Sequence, residues 1–181
     1  MAESEVTAVR AKKLSLAALC AALTVVCAWL SLPLGSVTFT LQSFSIALAL
    51  LLLGGKWGTV SISVYLLLGA VGLPVFSGFR GGAGILLSPT GGFLVGFLVM
   101  ALIYWLLTAI FGEKSRLWAL IAGQLLCYLL GAVWIHVSYV QSGGSASFGA
   151  VLILTVLPYL LPDAAKLALA WFLAKRLRRR I

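Results

Sequence analysis

The feature that most constrains this chain is a succession of long apolar segments joined by short polar connections. A helix needs about 20 mostly apolar residues to cross the hydrocarbon core of a bilayer. We predict six such spans within the 181 residues, at about 14–32, 40–54, 57–73, 91–111, 117–139 and 148–177. The sequence therefore predicts an all-α integral membrane protein made of a single transmembrane domain, residues 1–181, with no room for a separate soluble domain.

The charges support a membrane protein and argue against a nucleic-acid partner. Only 9% of the residues are charged, against about 25% in soluble domains. The net charge of +9 comes almost entirely from basic residues that flank the apolar segments, where they can meet anionic headgroups of membrane lipid. With six spans, eleven of these basic residues fall on one side, which predicts that both termini are cytoplasmic in the cell membrane. The eleven are Arg10, Lys12, Lys13, Lys56, Lys114, Arg116, Lys175, Arg176, Arg178, Arg179 and Arg180.

An acid and a base lie three residues apart inside the last apolar segment. Asp163 and Lys166 share one helix face at this spacing, and each charge costs roughly 2.5–3.5 kcal/mol to place at mid-membrane. We interpret the pair as a ligand site. An ion pair that only offsets its own desolvation is the alternative. Pro158 and Pro162 predict an interrupted last helix, with Pro162 at a helix start and Asp163 in its first turn, and broken helices often form solute sites.

A long connection between spans 3 and 4, from Pro74 to Thr90, is the second candidate feature. Residues 78–84 contain four glycines, which permit positive φ and close backbone approach, and Arg80 is the connection's only charge. Long loops in compact proteins are usually functional or disordered. Apolar residues on both sides predict that this loop folds back over the outer side of the protein. Near the outer end of span 2, Gln42 is expected to face either an internal cavity or the interface.

The remaining chemistry favours binding over catalysis. The chain has four acids, Glu3, Glu5, Glu113 and Asp163, and no carboxylate pair, Ser–His–Asp set or Cys–His set can be assembled from its motifs, which argues against an enzyme. Lys56 is followed by Trp57 and so does not end a nucleotide-binding loop. We predict three packed thiols, no cofactor and no metal site. The pocket should suit a small organic solute with an apolar body and a hydrogen-bonding head, bounded by the aromatic residues Phe76, Phe79, Tyr139 and Tyr159.

Several motifs together closely resemble the BioY family. The most specific is Leu68-Gly-Ala-Val-Gly-Leu-Pro-Val-Phe-Ser-Gly78, followed by Gly81-Gly82 and Ser88-Pro-Thr-Gly-Gly-Phe93. Further matches are Thr40-Leu-Gln42, the proline-flanked Asp163-xx-Lys166, and a weaker alanine pattern in span 1. The resemblance covers essentially the whole chain.

The resemblance implies a biotin-binding substrate-capture (S) component of an energy-coupling-factor transporter. Such a protein has six membrane helices and takes biotin from the outside, while a transmembrane coupling protein and two ATPase subunits drive its release inside. It also implies that Asp163 and Lys166 contact the ligand. On physical grounds we expect Asp163 to accept from the ureido N–H groups, and Lys166 or Arg80 to meet the ureido oxygen or the carboxylate. The substrate-binding set that we predict is Asp163, Lys166, Arg80, Gln42, Gly81, Gly82 and Tyr159. The resemblance implies a docking face for the coupling protein on span 1, which we assign to Ala17, Ala18, Ala21 and Ala22.

The chain departs from the family pattern at a few positions. Leu161-Pro162-Asp163 stands where Pro-Gly-Asp is frequent, Ser88 where Gly is usual, Phe93 where Tyr is common and Thr38 where Pro is usual. None of these changes the charged pair, so we expect the substrate to be retained. Two alternatives stay open: a stand-alone secondary transporter or channel for a small organic acid, and an S component for a different vitamin. A lipid transferase is disfavoured by the lack of catalytic groups.

Overall fold

The computed structural model describes residues 2–34 and 37–179. Within these residues, five helices are long and apolar enough to cross a membrane. The prediction of a mostly helical protein with several membrane spans is confirmed. In chain order the elements are α1 (Ala2–Trp29), β1 (Ser31–Leu34), β2 (Val37–Thr40), α2 (Gln42–Ala70), α3 (Ala83–Leu87), α4 (Gly91–Phe111), a 3-10 turn (Glu113–Ser115), α5 (Arg116–Gln141), α6 (Phe148–Thr155) and α7 (Leu157–Leu177).

Helix α2 consists of two antiparallel arms that meet at Gly54. This residue has a φ of +76° and is not helical, a conformation that glycine adopts readily. A Cβ built on Gly58 would lie 3.0 Å from the Leu50 Cα, so the chain has reversed. Gln42 Nε2 also donates to the Tyr65 hydroxyl at 2.5 Å across 23 residues, which a straight helix would separate by about 35 Å. The arms correspond to the predicted spans 40–54 and 57–73, and the second arm ends at Ala70.

A two-stranded antiparallel hairpin between α1 and α2 was not predicted. Leu32 pairs with Phe39, and Ser31 with Thr40. The first span was predicted to run to residue 32, but α1 ends at Trp29. The segment Pro33-Leu-Gly35 is the expected end of that span, and Gly35 lies outside the described residues. The β-branched and aromatic residues of 37–40 explain why this segment is extended, because such side chains favour strands.

The last apolar segment is divided at Val156, between α6 and α7. Helix α7 begins at Leu157 with Pro158 in its first turn, where a missing N–H is no loss. The prediction that Pro162 starts a helix is wrong, because Pro162 lies inside α7. Asp163 is likewise outside the first turn. Since Pro162 has no N–H, the Pro158 carbonyl loses its partner within the helix.

Glycines bring α4 and α5 into close contact at Gly92 and Gly96. A Cβ on Gly92 would lie 2.3 Å from Trp134 Cβ, and one on Gly96 would lie 2.7 Å from Cys127 Sγ. Small residues allow membrane helices to approach in this way. All three cysteines are buried and free, which confirms the prediction of packed thiols. The core lies between α1, both arms of α2, α4, α5 and α7, around Tyr65 and Tyr104, which are fully buried.

The connection from α2 to α4 folds back onto the protein, as predicted. Phe76 is buried at 1% exposure and its N–H donates to the Arg80 carbonyl at 2.9 Å. Trp29 Nε1 donates to the Pro74 carbonyl at 2.9 Å. These contacts hold the loop over one end of the helices.

Candidate ligand-binding site

A cavity of about 90 Å³ lies inside the helices and is called the chamber here. Its wall includes β2, the first arm of α2, the folded-back loop, and parts of α4, α5, α6 and α7. Five members of the predicted substrate-binding set line it: Gln42, Arg80, Tyr159, Asp163 and Lys166. The remainder of the wall combines apolar residues, among them Phe76, Phe93 and Phe97, with hydroxyl and amide side chains. The fold therefore gathers these five predicted polar residues around one cavity.

The charged pair forms in the chamber wall. Lys166 Nζ lies 2.8 Å from Asp163 Oδ1, and each residue is only 7% exposed. Lys166 Nζ also donates to the Thr40 carbonyl at 2.6 Å. It lies 3.7 Å from the centre of the Phe39 ring, a distance at which a cation and an aromatic face attract. Lys166 thus connects α7 to the hairpin. An ammonium group has three N–H donors, and two of them have acceptors among the described residues, the Thr40 carbonyl and Asp163, so one remains available.

Asp163 accepts hydrogen bonds from three protein donors. Besides Lys166, the Ser43 hydroxyl donates to Oδ1 at 2.9 Å and the Tyr128 hydroxyl donates to Oδ2 at 2.6 Å. Charge-assisted bonds of this kind are roughly twice as strong as neutral ones, so they offset the cost of burying the carboxylate. Sequence reasoning identified neither Ser43 nor Tyr128 as a partner of Asp163.

Gln42 faces the internal cavity, which settles the two alternatives left open for it. It is 5% exposed. Its Oε1 accepts from the Thr40 hydroxyl at 2.9 Å, and its Nε2 donates to Tyr65. Protein partners therefore hold both ends of the amide in place at the chamber wall.

Tyr159 stands at the chamber edge and Arg80 at its exposed mouth. The Tyr159 hydroxyl donates to the Val37 carbonyl, and its ring stacks on Phe39 with centroids 6.4 Å apart. Arg80 is exposed and donates from Nε to the Ser77 carbonyl at 3.1 Å. The two residues approach the chamber from different elements, α7 and the folded-back loop.

Two of the four predicted aromatic residues lie elsewhere. Phe79 is 64% exposed and stacks on Trp29 at 5.0 Å. Tyr139 is 50% exposed near the end of α5. Neither is among the chamber-lining residues in the described part of the chain, whereas Phe76 and Tyr159 are.

Gly81 and Gly82 shape the loop above the chamber. A Cβ on Gly81 would lie 2.1 Å from the Leu73 carbonyl oxygen. The Gly82 N–H donates to the Gly69 carbonyl at 2.7 Å, and its φ is +101°. Within the described chain neither residue lines the chamber, so their direct contact with a ligand stays a prediction.

A second, larger cavity of about 430 Å³ lies between α5 and α7 and is called the lateral groove. It shares Gln124, Tyr128 and Asp163 with the chamber, and the rest of its wall is mostly apolar. Leu125 and Leu160 at its edge are 56% and 41% exposed. These three shared residues therefore form the partition between the chamber and the lateral groove.

The four alanines predicted to dock a partner do not share one face. Ala17 and Ala21 are each 3% exposed, and the Ala17 carbonyl accepts from the Ser61 hydroxyl at 2.8 Å. They are packing positions inside the protein. Ala18 and Ala22 are exposed and are the two that a partner can reach in this structure.

The fold and the site define a multi-pass membrane protein with a chamber among its helices that is lined by both polar and aromatic residues. The chain belongs to the BioY family, whose model matches residues 1–181. The resemblance drawn from the sequence motifs is therefore confirmed.

Relatives that are named biotin transporters align over most of the chain. The probable biotin transporter BioY of Pyrococcus horikoshii is 41% identical over 169 residues, covering 93% of this chain and 98% of the relative. The biotin transporter BioY of Thermotoga maritima is 41% identical over 161 residues, covering 87% and 90%. A crystal structure of the S-component for biotin from an ECF-type ABC transporter superposes with a TM-score of 0.81 at 29% identity, covering 94% of this chain and 92% of that one.

Proposed function

We propose that this protein is the biotin-capturing subunit of an energy-coupling-factor importer and that it has no catalytic activity. The observation that carries the proposal is the buried Asp163–Lys166 pair, which lines the chamber in a chain whose relatives are named biotin transporters. Burying charged side chains inside a membrane protein costs free energy, so such residues usually have a function such as ligand binding.

The chamber offers complementary groups for each part of biotin. The remaining N–H of Lys166 donates to the ureido oxygen, and Asp163 accepts from the ureido ring. The fused rings lie against the apolar wall that includes Phe76 and Phe93. The carboxylate extends toward Arg80 at the exposed mouth, because the other cation is already shared between Asp163 and the Thr40 carbonyl.

Transport requires further subunits in this proposal. The sequence motifs include no nucleotide-binding loop, so a coupling protein and two ATPase subunits supply the energy. The coupling protein docks on the exposed residues of the α1 face, Ala18 and Ala22. The two arms of α2 and the divided last segment give six crossings of the cell membrane. Both termini then lie in the cytoplasm with the basic residues.

A biotin titration of the purified protein tests the proposal. We expect saturable binding at nanomolar to micromolar concentration, and its loss in Asp163→Asn and in Lys166→Met. The matched controls are Glu113→Gln and Lys114→Met, which make the same chemical changes at exposed positions. No saturable binding by the unaltered protein would overturn the proposal. Uptake that persists in vesicles without any ATPase would favour a stand-alone transporter.

A further inference from the structure

The ureido ring of biotin carries two N–H donors, so the chamber must provide two acceptors. A carboxylate has about four lone-pair sites. Asp163 already uses three of them for Ser43, Lys166 and Tyr128. One site remains, and it can accept one of the two ureido N–H groups. A second acceptor is therefore needed if biotin is the ligand.

Gln124 carries an acceptor that the protein leaves unused. It is 6% exposed, and its Oε1 is buried with no hydrogen-bond partner among the described residues. Three other buried side-chain atoms in the described chain share this state, on Tyr104, Arg116 and His136, but only Gln124 lines the chamber. A buried acceptor without a donor loses its hydration without replacement, so it points to a missing partner.

Gln124 lines both the chamber and the lateral groove. Its amide also makes a hydrogen bond with the Tyr128 hydroxyl. Because the Tyr128 proton is directed at Asp163 Oδ2, the amide donates in that contact and Oε1 stays without a donor. Acyl chains in the lateral groove offer no hydrogen-bond donor, whereas a polar ligand in the chamber does.

We propose that Gln124 Oε1 accepts the second ureido N–H, which makes Gln124 a specificity residue for a cyclic urea with two donors. The inference rests on the proposed function. A site built to accept a substrate N–H rejects analogues that lack it, because the buried acceptor is then left unpaired. Asp163 and Gln124 together would distinguish a urea from a ring with a single donor.

Two ligand analogues and one variant test this inference. In each of two cyclic carbamate analogues of biotin, oxygen replaces one or the other ureido N–H. Both should bind the unaltered protein at least tenfold more weakly than biotin. Gln124→Met should weaken biotin binding about tenfold but leave the affinity for one of the two carbamates unchanged. Gln141→Met, the same change at an exposed position of the same helix, should bind biotin normally.

Each outcome decides the matter. Normal biotin binding by Gln124→Met overturns the inference. The inference is also overturned if Gln124→Met weakens the binding of each carbamate by the same factor as it weakens the binding of biotin. If Gln124→Met fails to fold, the unaltered protein still decides, because a carbamate that binds as well as biotin shows that one N–H needs no acceptor. Failure of the unaltered protein to bind biotin is a different result, which overturns the proposed function itself.

Discussion

The Tyr128 hydroxyl donates to Asp163 Oδ2 at 2.6 Å and so couples the middle of α5 to α7. A hydrogen bond to a charged group is worth about 1.5–3 kcal/mol, and each 1.4 kcal/mol is tenfold in affinity. If Tyr128 fixes the carboxylate that meets the ligand, Tyr128→Phe should weaken biotin binding about tenfold, as measured by calorimetry. Tyr139→Phe, at an exposed position of the same helix, is the control. Equal affinities for the two variants would contradict this role.

The charged pair should affect stability and binding differently. Removing one partner leaves an uncompensated buried charge, which costs about 3–5 kcal/mol. We expect Lys166→Met to lower the melting temperature in detergent strongly, and the Asp163→Asn/Lys166→Met double variant to recover most of that loss. Neither should bind biotin.

The double variant separates a ligand site from a structural pair. A double variant that folds and still binds biotin would show that the pair has only a structural role, in which the attraction between the two charges offsets the cost of burying them. Thermal unfolding and biotin titration on the same samples give both answers.

Arg80 should act on the carboxylate end of the ligand alone. Arg80→Gln should weaken biotin binding about tenfold, as expected for loss of one charge-assisted contact. Biotinamide, which has a neutral amide in place of the carboxylate, should bind the variant and the unaltered protein equally. An equal loss for both ligands would place Arg80 away from the carboxylate. Arg10→Gln, exposed on α1, is the control.

The reversal at Gly54 should depend on glycine. Its φ of +76° and ψ of 176° belong to a region that costs other residues of order 1–3 kcal/mol. Gly54→Ala should therefore lower the melting temperature, although a Cβ there would meet no described atom within 4 Å. Gly149→Ala, at an equally open but helical position in the described chain, should be neutral or slightly stabilising. Equal melting temperatures would show that the backbone conformation carries no strain.

The charged pair and the loop could be predicted because their signals are local. Asp163 and Lys166 are three residues apart in an apolar segment, and the apolar flanks of the glycine-rich loop indicate that it packs down. These features depend on neighbours in sequence rather than on the full fold.

The remaining parts of the site depend on contacts between distant segments. Ser43 and Tyr128 reach Asp163 across 120 and 35 residues, and no spacing rule connects them. The hairpin could not be predicted because its few residues lie between two strongly apolar segments. Pro162 was misplaced because two prolines compete for one helix start, and the position of the break at Val156 decides between them.

The short first arm of α2 determines how far the chamber lies below the outer boundary of the hydrocarbon core. Its twelve residues before Gly54 rise only about 18 Å, whereas the hydrocarbon core is about 30 Å thick. With Lys56 at the cytoplasmic headgroups, as proposed, Gln42 lies roughly 12 Å beneath the far boundary of that core. Because this arm is almost wholly buried inside the protein, an arriving solute must pass between protein walls at the level of the outer leaflet before it reaches Gln42.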